Sequence, residues 1–166
     1  MIKNSDPVLY KSFQTARECH QRGDLASAEA IYSRLLALDP ADDEVLFWFG
    51  FLQASKGATE VGLECLRLAR QLKPSNPGIP YTIGLVLQQV ARLPEAVEAY
   101  RAALALDPGN RQALENLCTA YYDLDDYPAG LQAAEQALKL DPASALAIRG
   151  AANCLTAMGR RAEALV

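Results

Sequence analysis

The chain has very little of what most enzymes and secreted proteins need. His20 is the only histidine among 166 residues, and there is one tryptophan. The four cysteines, Cys19, Cys65, Cys118 and Cys154, lack the paired spacing of zinc and redox motifs. We therefore interpret them as reduced thiols that pack as small apolar side chains. The sequence predicts no metal site.

Long apolar runs and features of a signal peptide are absent as well. No stretch approaches the roughly 18 apolar residues that can cross a membrane, and the first seven residues lack an apolar signal core. The net charge is -4, without a block of lysine and arginine, which disfavours nucleic acid and anionic membranes as partners. We expect a soluble cytoplasmic protein.

No catalytic motif is recognisable. There is no glycine-rich phosphate loop and no HExxH sequence. Cys19 and His20 are neighbours on a predicted helix, so their side chains point about 100° apart and form no nucleophile–base pair. The acidic run at 123–126 lacks the glycine and the distant glutamate of a calcium loop. The sequence predicts a protein that is not an enzyme and needs no cofactor.

What the chain does have is one segment that recurs at a fixed interval. The sequence LLALDP at 35–40 has close or looser copies that end at three further prolines, each 34 residues on. Leucine and alanine extend a helix and proline ends it. Two residues after each proline stands a good N-cap residue: Asp42, Asn76, Asn110 or Ser144. The period predicts repeated pairs of helices.

This pattern resembles the tetratricopeptide repeat. Small residues stand where paired helices of that family approach closely: Ala16, Gly50, Gly84, Cys118 and Ala152 on the first helices, and Ala28, Gly62, Ala96, Gly130 and Ala164 on the second. The resemblance implies an all-α fold, a right-handed α-solenoid of antiparallel helix pairs. It places a lead-in at 1–8 and a repeat domain at 9–166, with repeats at 9–42, 43–76, 77–110 and 111–144 and a truncated fifth at 145–166.

The resemblance also selects candidate partner-binding residues. In this family one stripe of each first helix lines a concave groove, and in this chain that stripe is aromatic in the N-terminal half and polar in the C-terminal half. Exposed aromatic side chains usually mark contact sites, so we predict a scaffold that binds a peptide or helix of another protein. The predicted residues are Tyr10, Phe13, Gln14, Arg17, Phe47, Trp48, Phe51, Tyr81, Thr82, Leu85, Gln88, Asn116, Tyr122, Arg149 and Asn153.

Two known binding modes of the family are disfavoured by the residues present. The carboxylate clamp needs lysine, asparagine and arginine, but only one cation stands at its positions, which hold Phe13, Arg17, Trp48, Gly78 and Thr82. The asparagine ladder needs asparagine in every repeat at the position of Asn116. The other repeats have Gln14, Trp48, Thr82 and Gly150 there.

Alternatives to an open binding groove remain. Phe47, Trp48 and Phe51 could be covered by the N-terminal residues, by sequence beyond Val166, or by a second copy in a homo-oligomer. The last predicted helix is about half the length of its predecessors. The chain could therefore be the N-terminal recruiting domain of a larger enzyme, such as a transferase that acts on proteins.

Overall fold

The computed structural model describes residues 6–159, and this part of the chain contains nine α-helices and no strand. We call the odd-numbered helices first helices and the even-numbered ones second helices. Their bounds are α1 (Pro7–Gln21), α2 (Leu25–Leu38), α3 (Asp43–Ser55), α4 (Thr59–Leu72), α5 (Gly78–Gln89), α6 (Leu93–Leu106), α7 (Arg111–Asp123), α8 (Tyr127–Leu140) and α9 (Ala145–Ala157). None of these helices is long and apolar enough to cross a membrane.

Polar side chains placed by the repeat cap the first helices. Asp42, Asn110 and Ser144 each accept a hydrogen bond from the main-chain N–H three residues on, at 3.1, 3.0 and 3.2 Å. These three predicted caps are confirmed, and each satisfies an N–H that the helix itself leaves unpaired. Asn76 accepts its bond from Gly78, the first residue of α5, at 2.9 Å.

A left-handed residue follows each first helix at the same interval of 34 residues. Three of these residues are glycines, Gly23, Gly57 and Gly159, with φ of 81°, 90° and 78°. The other two are Ala91 and Asp125, with φ of 57° and 61°. A side chain disfavours this backbone conformation by about 1–2 kcal/mol, so the turn at Ala91 carries strain that the glycine turns do not.

The described residues divide into two compact units after Ile79. Unit 1 contains α1 to α4, and its core includes Phe13, Tyr32, Leu35, Val45 and Leu52. Unit 2 runs from Pro80 through α6, α7, α8 and α9. A core cluster there consists of Leu114, Ala137 and Ala147, against which Leu104 and Leu138 pack.

Paired helices approach each other at the small residues. A Cβ atom added to Gly62 would lie 2.6 Å from the carbonyl oxygen of Gly50, and one added to Gly50 would lie 2.8 Å from the carbonyl oxygen of Gly62. The backbones of α3 and α4 are therefore in direct contact. In unit 2 a Cβ atom on Gly84 would lie 2.5 Å from Cε1 of Tyr100.

We predict that Ala91→Gly raises the free energy of unfolding by about 0.5–1 kcal/mol, because glycine adopts positive φ without strain. The matched variant Gly57→Ala places a methyl group at the equivalent turn and should lower stability by about 1 kcal/mol. Urea denaturation followed by circular dichroism measures both. A stability of Ala91→Gly at or below that of the wild type would contradict the strain assigned to this turn.

We also predict that Gly62→Ala lowers the free energy of unfolding by about 1–2 kcal/mol. The added methyl group must push two backbones apart, which outweighs the better helix propensity of alanine. Gly109→Ala is the control, because its Cβ atom would meet only the carboxylate of Asp107, at 3.4 Å. Equal stability of the two variants would show that α3 and α4 do not depend on backbone contact.

Candidate functional site

In unit 1 an aromatic cluster lies where α1 meets α3. We call it the Trp48 cluster, and it consists of Arg17, His20, Phe47, Trp48 and Phe51. The Arg17 guanidinium lies 4.8 Å from the centre of the Trp48 ring. The His20 ring lies edge-on to Trp48 at 6.0 Å and 5.6 Å from Phe51, while Phe47 meets Trp48 edge-on at 5.4 Å. All five side chains are half-buried, so the cluster holds itself together and still presents aromatic surface.

Two polar atoms of this cluster are buried without hydrogen bonds. Neither Nε of Arg17 nor Nδ1 of His20 has a partner within residues 6–159. Burial lowers the pKa of His20 from its ordinary value of 6.5, since the charged imidazolium loses hydration there. His20 is therefore neutral at pH 7, and the positive charge of the cluster comes from Arg17.

In unit 2 a cavity of about 270 Å³ opens between α7 and α9, and we call it the α7–α9 pocket. Four of the predicted binding residues line it: Asn116 and Tyr122 from α7, and Arg149 and Asn153 from α9. Arg149 is exposed and makes no ion pair with any residue in the described part of the chain. The pocket therefore offers two amides and a cation to a ligand.

A buried carboxylate fixes one wall of the α7–α9 pocket. Glu115 is 7% exposed, and its Oε1 accepts hydrogen bonds from Arg111 Nη1 at 2.7 Å and from Ser144 Oγ at 2.5 Å. Ser144 Oγ also caps α9, and Arg111 lies 3.4 Å from the carboxylate of Asp141. The network ties the start of α7 to the start of α9 and so sets the width of the pocket.

A second contact orients Asn116. Its Nδ2 donates a hydrogen bond to the hydroxyl oxygen of Tyr81 at 3.2 Å. This bond fixes the orientation of the amide, so its oxygen and its second N–H are available to a ligand. Tyr81 therefore positions the amide of Asn116.

Two predicted groove residues are not on an open face. Phe13 is 1% exposed and packs on Tyr32, with ring centres 6.3 Å apart, because the same helix face carries the buried Ala16. Thr82 is 6% exposed, since it lies on the side of α5 that also buries Val86. Both belong to the interior and cannot act as open contact residues.

The other predicted residues differ in exposure. Tyr10 is 50% exposed, while Gln14 and Leu85 are half-buried. Gln88 is already engaged, because its Oε1 accepts a hydrogen bond from the Tyr100 hydroxyl at 2.7 Å. Whether these residues bind a partner stays a prediction.

The sequence-based prediction left out several residues of these faces. Glu115 and Leu146 line the α7–α9 pocket but were absent from the predicted set, although they fall on the same helical stripes. Tyr32 was not among the predicted residues, and its hydroxyl is a third buried polar atom without a partner in the described residues. The sequence could have drawn attention to Tyr32, because a second tyrosine, Tyr100, stands at the equivalent position two repeats later.

The cysteines lie apart from any metal-binding arrangement. Within residues 6–159 no group of three histidine, cysteine or acidic side chains could hold a metal ion. Burial raises the pKa of the Cys118 thiol to about 12 and also raises that of Cys154. Both thiols therefore stay protonated at neutral pH, which is typical of structural cysteines.

Comparisons with known proteins agree with this architecture. Residues 81–145 match the family model of the tetratricopeptide repeat. The crystal structure of MamA superposes with a TM-score of 0.84 at 21% identity, covering 90% of this chain and 88% of that one. A tetratricopeptide repeat protein from Parabacteroides merdae superposes with a TM-score of 0.83 at 21% identity, over 93% of this chain and 62% of its own. Residues 81–145 therefore match tetratricopeptide repeats, and the chain has the all-α solenoid fold of such proteins, as predicted.

A curated relative is much longer. The probable UDP-N-acetylglucosamine--peptide N-acetylglucosaminyltransferase SPINDLY of Hordeum vulgare is 28% identical over 115 residues. The match spans 69% of this chain but only 12% of the relative. Tetratricopeptide repeats, which residues 81–145 match, generally mediate contacts between proteins.

We predict that His20 titrates below pH 6.5 in the folded protein, because desolvation opposes its charged form. The unfolded chain then takes up this proton first as the pH falls. The contribution of His20 to stability is complete above about pH 6.5 and is lost as the pH falls through the folded-state pKa. NMR of the imidazole ring measures the titration, with His20→Gln as the control that assigns the signal. A pKa at or above 6.5 would contradict the burial assigned to this ring.

Proposed function

We propose that this chain is a scaffold that binds a partner polypeptide on the exposed faces of its first helices. The observation that carries the proposal is the α7–α9 pocket. Four side chains that the family resemblance selects from the sequence line this one cavity from two different helices: Asn116, Tyr122, Arg149 and Asn153. Polar groups that converge on a preformed cavity are typical of binding sites.

The chemistry of the pocket suits an extended main chain. Asparagine side chains carry both a donor and an acceptor, so Asn116 and Asn153 can each pair with a peptide group from opposite walls. One N–H of the Asn116 amide already binds Tyr81, which leaves the second N–H to donate and the oxygen to accept a main-chain N–H. Leu146 adds apolar surface at the rim. A cavity of about 270 Å³ accommodates a short stretch of peptide rather than a large cofactor.

In unit 1 the Trp48 cluster supplies a different kind of contact. Trp48 and Phe51 are half-buried and held in place by their neighbours, so they lose little side-chain entropy on binding. Rigid aromatic residues of this kind act as anchors in protein interfaces. We propose that an apolar side chain of a partner packs against this edge.

A second function, recruitment of proteins to a transferase, is supported by the relative from Hordeum vulgare. Its name describes a transferase that acts on peptides, and the region shared with this chain is 12% of its length. Under this alternative the same first-helix faces capture the protein that is to be modified. The binding chemistry of the two functions is the same, and they differ in whether a transferase accompanies the chain.

A random peptide library can be selected by display on the immobilised protein. We predict that the selected peptides bind through these first-helix faces. Trp48→Ala should weaken the binding of the selected peptides by about 1–2 kcal/mol, roughly five- to thirtyfold in Kd. The double variant Asn116→Ala with Asn153→Ala should weaken it by a similar amount. Fluorescence anisotropy of labelled peptides measures the change.

The control is Glu135→Ala, an exposed substitution on the second helix α8, which should leave Kd unchanged. Circular dichroism confirms that each variant is folded. The proposal would be wrong if the selected peptides kept full affinity for both sets of variants and lost it only through changes on the second helices.

A further inference from the structure

Two tyrosines in equivalent repeat positions have different surroundings. Tyr32 and Tyr100 stand two repeat lengths apart, and so do their neighbours on the preceding first helices, His20 and Gln88. Both tyrosine side chains are fully buried. In unit 2 the Tyr100 hydroxyl donates a hydrogen bond to Gln88 Oε1 at 2.7 Å. This pair shows how the fold satisfies a buried hydroxyl at that position.

Unit 1 does not use this solution. The His20 ring lies edge-on to Tyr32 with centres 6.4 Å apart, yet neither the Tyr32 hydroxyl nor His20 Nδ1 has a hydrogen-bond partner in residues 6–159. Nε of Arg17, one helical turn before His20, is a third such atom. Three unsatisfied polar atoms at one place are rare, because each loses its bonds to water without replacement.

The surroundings of the three atoms are aromatic and weakly polar. Arg17 lies over Trp48 at 4.8 Å and 5.9 Å from the centre of the Phe13 ring. Its positive charge acts on the Tyr32 hydroxyl and opposes part of the rise that burial causes in the pKa of that group. The hydroxyl and the guanidinium are therefore electrostatically coupled, and Trp48 restricts where the guanidinium can move.

We infer that Arg17, His20 and Tyr32 form a binding site for a carboxylate side chain of the partner polypeptide, placed against Trp48. This inference rests on the proposed function, because it assigns an acidic residue of the partner to the Trp48 cluster. The three groups can each donate a hydrogen bond, from the guanidinium Nε–H, the imidazole N–H and the phenol O–H. A carboxylate has several acceptor positions and an opposite charge to Arg17, so its chemistry matches all three donors.

The site differs from the carboxylate clamp of the family. Of its three residues only Arg17 stands at a clamp position, and the other clamp positions hold Phe13, Trp48, Gly78 and Thr82. His20 and Tyr32 supply the remaining donors from α1 and α2. Arg17 and His20 are half-buried rather than fully buried, so part of each side chain reaches the surface beside the three buried donor atoms.

The test is a titration of the intact chain with propionate, which mimics the end of a glutamate side chain. Propionamide, with the same shape and no charge, is the matched control. Trp48 is the sole tryptophan and His20 the sole histidine, so NMR signals of the indole N–H and the imidazole ring report on the site without ambiguity. We expect saturable shifts of both signals with propionate and none with propionamide.

Variants assign the response to the three residues. Arg17→Gln should weaken propionate binding at least about tenfold, because it removes the charge. Arg70→Gln removes an exposed arginine from the last turn of α4 and should change nothing. His20→Gln places in unit 1 the residue that bonds to tyrosine in unit 2, so it should raise the melting temperature and weaken propionate binding about tenfold.

Several results would overturn the inference: no saturable response, equal responses to propionate and propionamide, or full binding by Arg17→Gln or His20→Gln. The first of these is the result expected if the three atoms bond only to internal water. The titration needs no partner polypeptide, so its failure leaves the scaffold proposal standing. Conversely, selected peptides that keep full affinity for the variants of both first-helix faces would refute the scaffold proposal, whether or not propionate binds.

Discussion

Close approach of paired helices, permitted by glycine and alanine, is the constraint on which the rest of this structure depends. In unit 1, Gly50 and Gly62 leave no room for a methyl group between α3 and α4. Such close packing fixes which side of each helix is interior. The side of a first helix that does not face the interior is then available for contacts with other molecules. Its side chains are not constrained by core packing alone. The binding faces follow from the same constraint that forms the fold.

The two units present different chemistry on these sides of their first helices. Unit 1 has a cation stacked on tryptophan beside a neutral histidine, an arrangement that suits apolar and acidic groups. Unit 2 has a pocket whose wall is fixed by a buried carboxylate that pairs with Arg111 and Ser144, and whose open side offers amides and Arg149. The unit 1 atoms lack hydrogen bonds, whereas Glu115 in unit 2 accepts two, so the two units differ in how they bury polar groups.

Much of the fold could be predicted from the sequence because the residues that start and end helices act locally. Prolines, caps and glycine turns act on their own neighbours, and Asp42, Asn110 and Ser144 cap as expected. The left-handed backbone at Ala91 was not foreseen, since alanine gives no signal for it. The site was harder to predict. Helical spacing places a residue within a broad sector, so it could not tell that Phe13 and Thr82 fall on the buried edge of that sector. The orphaned hydroxyl of Tyr32 depends on side-chain orientation, which spacing does not encode.

The central claim is that the first-helix faces are open to another polypeptide rather than occupied by a second copy of this chain. The most direct test is light scattering over a wide concentration range, with acrylamide quenching of Trp48 fluorescence measured on the same samples. The account predicts a constant monomeric mass and a quenching constant that does not change with concentration. A mass that rises with concentration while Trp48 becomes protected from acrylamide would show that the aromatic face is an interface between copies, and would contradict the account.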